Sequence, residues 1–403
     1  MINPGDALNI IIEEAKLLSS EEKHILNCLN DVLAEDIYSK DNLPPFDKSA
    51  MDGYAIKSED SVNCSEENIG GFKIKGLIKA GDFCEEVIKA GEAYKIMTGA
   101  AVPQGADAVI QIEKVRTEDE TLYLSEAVKK DNNIIKLGEE IKIGDLALSK
   151  GTVIRPVEVG LLSSLGYEYI KVYRKPTVAL IITGDELVDI HSQIQKGKIR
   201  NSNEYSLKAM LKNLNCDGLS LGIVPDNKEA LKEKMEYALE HADIVLSSGG
   251  ASVGDYDFVR GILEEIGADI KFTSVAVKPG KPLTFATIKD KLFFALPGNP
   301  MAIINDFQEF VRPAIEKMMG KSQIFKEEFP VILADNFRGK AGRQKYLYVH
   351  IKKQEGSYYA YKAGSQSSNH LMTMSRANGV VIIPKGCENV QAGECFNGKF
   401  IFR

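Results

Sequence analysis

Tryptophan is absent from the 403 residues, and histidine occurs only five times. Imidazole-based metal chemistry is therefore poorly supplied. The six cysteines are Cys28, Cys64, Cys84, Cys216, Cys387 and Cys395, and no two stand in C-x-x-C spacing. Scattered over so long a chain, they argue against a zinc ribbon, an iron–sulfur cluster and a disulfide scaffold, and read as buried or incidental thiols. No stretch reaches the ~18 apolar residues of a membrane span. No basic segment runs into an apolar one near the start, so a cytoplasmic protein without a membrane partner is expected. Positive charge is not in excess either: Lys and Arg number 50 against 57 Asp and Glu, for a net charge of −7. A phosphate backbone needs a concentrated basic surface, so nucleic acid is not expected as a partner. A small anion held by a few local cations stays open. What is present is ordinary for a globular protein, with 44% hydrophobic and 27% charged residues over a length that accommodates several domains.

The spacing of Ala7, Leu8, Ile11, Ile12, Ala15 and Leu18 predicts a helix over 3–18, capped by Asn3 and started by Pro4. A shorter helical segment is expected around Glu21–Asn30. From about residue 46 to 150, short apolar runs (Phe72–Ile78, Ala93–Met97, Ala108–Ile112, Thr121–Leu124) are separated by Gly, Pro and Asp, which points to a β-rich unit. A helical piece, Val157–Leu165, and a strand, Tyr169–Tyr173, follow. After Lys175-Pro176 the texture changes. Strands at Thr177–Ile182, Gly218–Val224, Asp243–Leu246 and Ile270–Val277 alternate with helices at Glu204–Leu214, Lys228–His241 and Tyr256–Ile266. A hairpin of Leu283–Thr287 with Leu292–Leu296 and a long helix, Pro300–Met319, complete this part. Such alternation implies a mainly parallel sheet with helices on both faces. The last ~80 residues return to short strands and Gly turns, as in a small β domain.

In the α/β part the unusual residues gather directly after strands: Thr183-Gly184-Asp185-Glu186, Pro225-Asp226, Ser247–Asp257, Lys278-Pro279-Gly280-Lys281-Pro282 and Pro297-Gly298-Asn299-Pro300. Any one of these is an ordinary Gly/Pro turn. Five together, at the strand ends where open α/β sheets bind ligands, mark a site. Ser248, Gly249, Gly250, Ser252 and Gly254 offer hydroxyls and backbone N–H groups suited to an oxyanion. Lys278 and Lys281 add two positive charges on a stiffened loop. The carboxylates Asp185, Glu186, Asp226, Asp255 and Asp257 would repel an anion unless a cation such as Mg²⁺ stood between them.

Standard nucleotide signatures fail. Gly320-Lys321-Ser322 matches the end of a phosphate-binding loop, but Ile315 stands where its first Gly belongs. Gly250-Ala251-Ser252-Val253-Gly254 matches the G-x-S-x-G nucleophile elbow, so a serine hydrolase built on Ser252 is a second reading. Its histidine would have to be His350 or His370, both in the C-terminal β region. Two further dense motifs, Ser49–Ala55 and Met97–Pro103, lie in the β-rich region.

Taken in order, S-A-M-D-G-Y-A at 49–55, M-T-G-A-x-x-P at 97–103, T-G-D-E-L at 183–187, S-G-G-x-S-V-G at 248–254, K-P-G-K-P at 278–282, P-G-N-P at 297–300 and A-N-G at 377–379 resemble the MoeA family, the molybdopterin molybdenumtransferases that include the gephyrin E domain. The resemblance covers essentially the whole chain. It implies a multi-domain α/β plus β fold. An extended N-terminal domain would span 1–45 and 138–175, a β-rich inserted domain 46–137, a central α/β molybdopterin-binding domain 176–320, and a small C-terminal β-barrel-like domain 321–403. It implies a homodimer whose active site is shared between subunits. It also implies Mg²⁺-dependent insertion of molybdate into adenylylated molybdopterin with release of AMP. Molybdopterin adenylyltransferase and molybdoenzyme maturation proteins are the implied partners. A non-catalytic scaffold of the same fold is a third reading.

Carried over by motif, the resemblance implies catalytic roles for Asp52, Thr98, Glu140, Glu186, Asp226 and Asp257, with Glu186, Asp226 and Asp257 as Mg²⁺ ligands. It assigns Lys278, Lys281 and Pro282 to an oxyanion loop, Arg343 to the same anion, and Thr373 to a substrate hydroxyl contact where relatives often have Ser. There are departures: Glu140 stands where the family has Asp, Lys136 where Arg is common, and Ala302 where many relatives have Ser.

Overall fold

The computed structural model describes residues 1–249 and 258–401. The chain divides into two compact units. One comprises Met1–Ala34, Gly151–Arg155 and Tyr169–Arg403, and the other Glu35–Lys150 and Pro156–Glu168.

The first unit is built on a six-stranded sheet in the spatial order Gly218–Val224, Val178–Thr183, Ile244–Ser248, Lys291–Leu296, Thr284–Ile288, Asp269–Phe272. The first four strands are parallel; Thr284–Ile288 forms an antiparallel hairpin with Lys291–Leu296. Strand side chains alternate between faces, and in the central strands Val178–Thr183, Ile244–Ser248 and Lys291–Leu296 both faces are buried. Val178, Leu180, Ile182, Ile244, Leu246, Phe294 and Leu296 pack on one side with Leu207, Leu211, Phe307 and Ile315, and with Ala7 and Ile11 of the N-terminal helix Pro4–Glu14 and its C-cap Ala15. Ala179, Ile181, Val245, Phe293 and Ala295 pack on the other with Leu231, Met235 and Ala238 of helix Lys228–His241 and with Val259, Ile262 and Leu263 of helix Phe258–Glu265. Double burial explains why these strands read as continuous apolar runs.

The C-terminal strands close into a small barrel. Gln344–Gln354 pairs with Ser357–Lys362 through its second half and with Gly379–Ile383 through its first. Phe329–Leu333 and Cys395–Phe400 complete the ring. Among the described residues no helix is long and apolar enough to cross a membrane.

Four local expectations change. Glu21–Asn30 is not a helix: Ser20–His24 pairs antiparallel with Tyr169–Tyr173, and a 3₁₀ turn, Ile25–Asn27, follows, capped by His24 Nδ1 accepting from the Leu26 N–H. Leu26 and Leu29 are exposed, so the apparent helical apolar stripe faced no partner, and strand pairing prevailed. The N-terminal helix stops at Glu14, short of Leu18. The expected strand Ile270–Val277 is two pieces: Asp269–Phe272 stays in the α/β sheet, while Val277–Lys278 pairs in parallel with Gln344–Lys345 at the start of the long barrel strand. The long helix is real but contains a π-helical turn, Phe307–Val311, directly before Arg312–Met318. Pro313 lacks an N–H and its ring would strike the carbonyl four residues back, and widening the preceding turn relieves that clash.

The second unit carries a mixed six-stranded sheet in the order Ala108–Gln111, Gly53–Ile56, Glu92–Ile96, Gly70–Ile78, Thr121–Leu124, Arg116–Glu118. Tyr54, Ile56, Phe72, Ile110, Leu122 and Leu124 form a core on one of its faces. Helix Pro156–Ser164 also belongs to this unit.

Candidate active site

The carboxyl ends of the parallel strands in the first unit are laced together by polar contacts. Thr183, at the end of its strand, donates its hydroxyl to Asp226 Oδ1 at 2.5 Å. The Asp226 N–H donates to Asp185 Oδ1 at 3.2 Å, and the Asp185 N–H to Asp226 Oδ2 at 3.3 Å. Glu186 is exposed and its carboxyl folds back over Gly184, where a Cβ would come within 2.6 Å of Oε2. Gly249 has φ +96°, and a Cβ there would lie 2.4 Å from the Thr183 carbonyl oxygen. Glycine is what lets the loop after Ile244–Ser248 pass this close to the end of Val178–Thr183. Ser248 is buried, and the Asn203 amide donates both to Ser248 Oγ at 3.0 Å and to the Gly298 carbonyl at 2.7 Å. Two strand ends are thereby joined through one side chain at the start of helix Asn203–Asn213. Gly250, Ser252, Gly254 and Asp257 lie outside the described residues.

Beyond Gly298 the loops open onto a cleft of about 480 Å³, lined by Lys278, Pro279, Gly280, Lys281, Pro282, Pro297, Asn299 and Ala302, by Arg343 from the barrel, and by Gln366, Ser367 and Ser368. No Asp or Glu is among these described lining residues. None of the ion pairs among the described residues involves Lys278, Lys281 or Arg343. In a chain of net charge −7, three cations converging with no carboxylate among the described lining residues make a local positive field suited to a small anion. Another cavity, of about 370 Å³, contrasts with it. There Lys399 pairs with Glu309 at 2.7 Å and Arg312 with Glu316, so the charges largely satisfy one another.

The barrel holds the cationic loop in place. Lys278 lies in register with Lys345, and Arg343 donates from Nη1 to the Val277 carbonyl at 3.3 Å. Lys345 is buried, with its ammonium donating to the carbonyls of Cys387 and Glu388 at 2.7 and 2.8 Å. Burial holds its pKa below the ordinary lysine value, and the charge of Lys278 adds to that effect. From the core side, Asn305 donates to the Pro279 carbonyl at 3.2 Å and accepts from Tyr348 Oη at 2.9 Å. Asp306 is fully buried, and Gly280, at φ +107°, passes directly over its carboxyl.

Thr373 is placed differently from the other expected groups. It is buried, and its hydroxyl donates to the Ser365 carbonyl at 2.8 Å, so it braces the loop that brings Ser367 and Ser368 to the cleft. Ala302 forms part of the cleft wall, where it offers no hydroxyl. Among the described residues no three His, Cys, Asp or Glu side chains converge on a point that would hold a metal ion.

In the second unit the motifs 49–55 and 97–103 meet, although they stand far apart in sequence. Asp52 Oδ1 accepts from the Thr98 N–H at 2.7 Å and from Thr98 Oγ1 at 2.8 Å. These bonds, the backbone one foremost, hold its carboxyl below the usual carboxylate range. Gly99 turns at φ +81° and donates its N–H to the Ser49 carbonyl. Gly53 lies so close to the strand Ala108–Gln111 that a Cβ would come within 1.9 Å of the Ile110 carbonyl oxygen. Glu140 is exposed; its backbone N–H bonds to the Leu43 carbonyl, and no hydrogen bond joins its side chain to Asp52 or Thr98 among the described residues. Lys136 pairs with Asp131 at 2.6 Å and with Asp47 at 3.1 Å.

Sequence reasoning missed Asn203, Asn305, Asp306 and Gln366. Each is a polar residue inside or beside an apolar element, which periodicity treats as noise. Gln366 is an instance: its amide bonds both the N–H and the carbonyl of Tyr348, fixing the cleft loop to the barrel.

A doubly covered, mainly parallel sheet whose strand-end loops adjoin a cationic cleft, with a β-barrel supplying one of the cations, defines an α/β anion-handling enzyme. The chain matches the family models described as "MoeA N-terminal region (domain I and II)" over residues 2–166, "Probable molybdopterin binding domain" over 179–317 and "MoeA C-terminal region (domain IV)" over 330–398. It is 36% identical to the molybdopterin molybdenumtransferase of Haemophilus influenzae, covering 93% of this chain and 92% of that one. It is 34% identical to that of Staphylococcus aureus strain COL, covering 96% and 93%. The crystal structure of the molybdopterin biosynthesis MoeA protein from Pyrococcus horikoshii superposes with a TM-score of 0.86 at 30% identity, covering 99% of each chain. The chain belongs to the MoeA family.

Proposed function

We propose that this chain is a molybdopterin molybdenumtransferase of molybdenum cofactor biosynthesis, which takes adenylylated molybdopterin and molybdate, releases AMP in a Mg²⁺-dependent step and leaves molybdenum on the pterin dithiolene. Kinship over the whole chain with proteins of that name supports the activity. The observation that carries the substrate reading is the cleft itself: Lys278, Lys281 and Arg343 surround it with no carboxylate among its described lining residues. A tetrahedral dianion fits such a set, because each cation adds a charge-assisted hydrogen bond.

The donor chemistry at the neighbouring strand ends suits Mg²⁺. Asp226 and Glu186 offer hard carboxylate oxygens, and Asp226 is oriented by Thr183 and the Asp185 backbone. Mg²⁺ commonly takes one or two carboxylates and completes its shell with water and substrate phosphate. Asp257, the third expected ligand, lies outside the described residues. When bound, Mg²⁺ would offset phosphate charge and polarise a phosphoryl oxygen. The protein's own part is positioning. Thr183 and Asp185 fix the Asp226 carboxylate, Asn203 locks two further strand ends, and the barrel holds Lys278 and Arg343 at the same cleft. Preorganised charge of this kind lowers a barrier by proximity and by stabilising developing charge.

We take the working enzyme to be a homodimer in which Asp52 and Thr98 of one copy act with the cleft of the other. Their exposed, mutually bonded arrangement supports a contact role. The decisive experiment incubates the protein with adenylylated molybdopterin, Mg²⁺ and molybdate or tungstate, following AMP release and metal on the pterin. Asp226→Ala is expected to bind the adenylylated pterin and fail to release AMP. Normal release by that variant at saturating Mg²⁺ and molybdate removes Asp226 from the reaction.

A further inference from the structure

We propose that Asp306 is a positioning residue for oxyanion binding: its side chain is a wedge beneath Gly280 that sets the curvature of the Lys278–Pro282 turn and so the placing of both lysines on the cleft. The inference rests on reading that cleft as the oxyanion site. Asp306 ends the helix Pro300–Asp306 that follows the Pro297–Pro300 loop, and none of its surface is exposed. A Cβ on Gly280 would lie 1.8 Å from Asp306 Oδ1, so the loop backbone rides on the carboxyl itself. Its neighbour Asn305 holds the next carbonyl along, that of Pro279, and is in turn held by Tyr348 from the barrel. The two consecutive side chains therefore support consecutive residues of the turn, one by a hydrogen bond and one by contact.

The wedge must be uncharged. Among the described residues Oδ1 accepts a hydrogen bond only from the Asn305 amide, at 3.4 Å, and Oδ2 is buried with no hydrogen-bond partner. The titratable groups around it are Glu309 on the same rod, Tyr348 on the barrel strand, and Lys278 and Lys281 on the loop above, whose residues are exposed at the cleft. No cation pairs with it among the described residues. An unpaired carboxylate sealed in this position would be costly, so the proton stays. Burial pushes the carboxyl well above the ordinary carboxylate range. A neutral acid here keeps negative charge from beneath an anion site while still filling the space under the turn.

The test measures molybdate affinity by calorimetry on the full chain, alongside the thermal midpoint, for wild type, Asp306→Asn, Asp306→Ala and Lys281→Ala. The neutral isostere Asp306→Asn is expected to bind within about twofold of wild type. Asp306→Ala is expected to bind about tenfold more weakly, equivalent to about 1.4 kcal/mol. If Ala fails to fold, Asp306→Ser serves as the cavity variant with the same expectation. A residue that only fills the core would lower the midpoint and leave molybdate affinity alone, and that result overturns the proposal. So does a loss in Asp306→Asn as large as in Asp306→Ala, because it would mean that the carboxylate charge matters. If Lys281→Ala also binds molybdate normally, the cleft is not the oxyanion site, and the inference falls together with the reading beneath it.

Discussion

Replacing Gly280 with alanine tests how tightly the cationic turn is fitted to its support. Two costs arise. The backbone sits at φ +107°, where an L-residue is strained by about 1–2 kcal/mol. The new methyl would lie 1.8 Å from Asp306 Oδ1, 2.6 Å from its Cγ and 2.7 Å from Oδ2. All three are well inside contact distance, and the carboxyl is fully buried, so it has no exposed position to swing into. Overpacking of this kind costs about 1–3 kcal/mol. The expected local destabilisation is thus about 2–5 kcal/mol, which should appear as opening of the turn before global unfolding. Hydrogen exchange read by mass spectrometry on peptides spanning 273–285 reports it, because the N–H groups of Val275 and Leu283 both bond to the Lys281 carbonyl. Exchange there should accelerate at least about 30-fold, since each 1.4 kcal/mol is a factor of ten. The double variant with Asp306→Ala removes the collision but not the backbone strain, so it should recover part of the protection, with a coupling of about 1–3 kcal/mol. Unchanged exchange in Gly280→Ala, or additivity in the double variant, refutes the packing argument.

Three further outcomes are expected. Lys281→Ala should weaken molybdate binding and flatten its salt dependence, because one unpaired cation is lost from the cleft; an unchanged titration across salt contradicts the assignment. Mixing Asp52→Ala with Lys281→Ala subunits should restore about a quarter of wild-type turnover if the site is shared, since half of randomly formed dimers are mixed and each keeps one intact site; no recovery after verified subunit exchange counts against sharing. Asp243 accepts from Arg174 at 2.7 and 2.8 Å and from the Thr177 N–H at 2.8 Å at the start of the central strand. Its burial opposes ionisation, but these bonds prevail and its pKa lies below the ordinary 3.8. A depressed carboxyl stabilises the fold fully above its unfolded pKa and loses that contribution as the pH falls through the folded value. Asp243→Asn should therefore melt below wild type at neutral pH, by an amount reflecting about 1–3 kcal/mol. The gap should close as the pH drops below 3.8, and a constant gap would exclude the ion pair as its source.

Sequence alone determined the parts that depend on local pattern. Continuous apolar runs at Val178–Thr183, Ile244–Ser248 and Lys291–Leu296 announce strands buried on both faces, and the Gly, Pro, Lys and Asp clusters after them mark one edge of the sheet. The ordered motifs were enough to place the chain in its family. Tertiary structure decided whatever rested on a distant partner. Ser20–His24 became a strand because Tyr169–Tyr173 offered it a backbone ladder, and Val277–Lys278 left the α/β sheet because the barrel strand captured it. Thr98 reached Asp52 through strand pairing across 46 positions, while Thr373 was turned to a backbone carbonyl instead of the cleft. Asp306 shows the reason most plainly. A carboxylate in a helix reads from sequence as a solvated surface group, and only burial beneath Gly280, with no cation to pair with, turns it into a neutral support for an anion site. Periodicity reports which face of an element is apolar, but the charge state and role of a polar residue depend on what the rest of the chain packs against it.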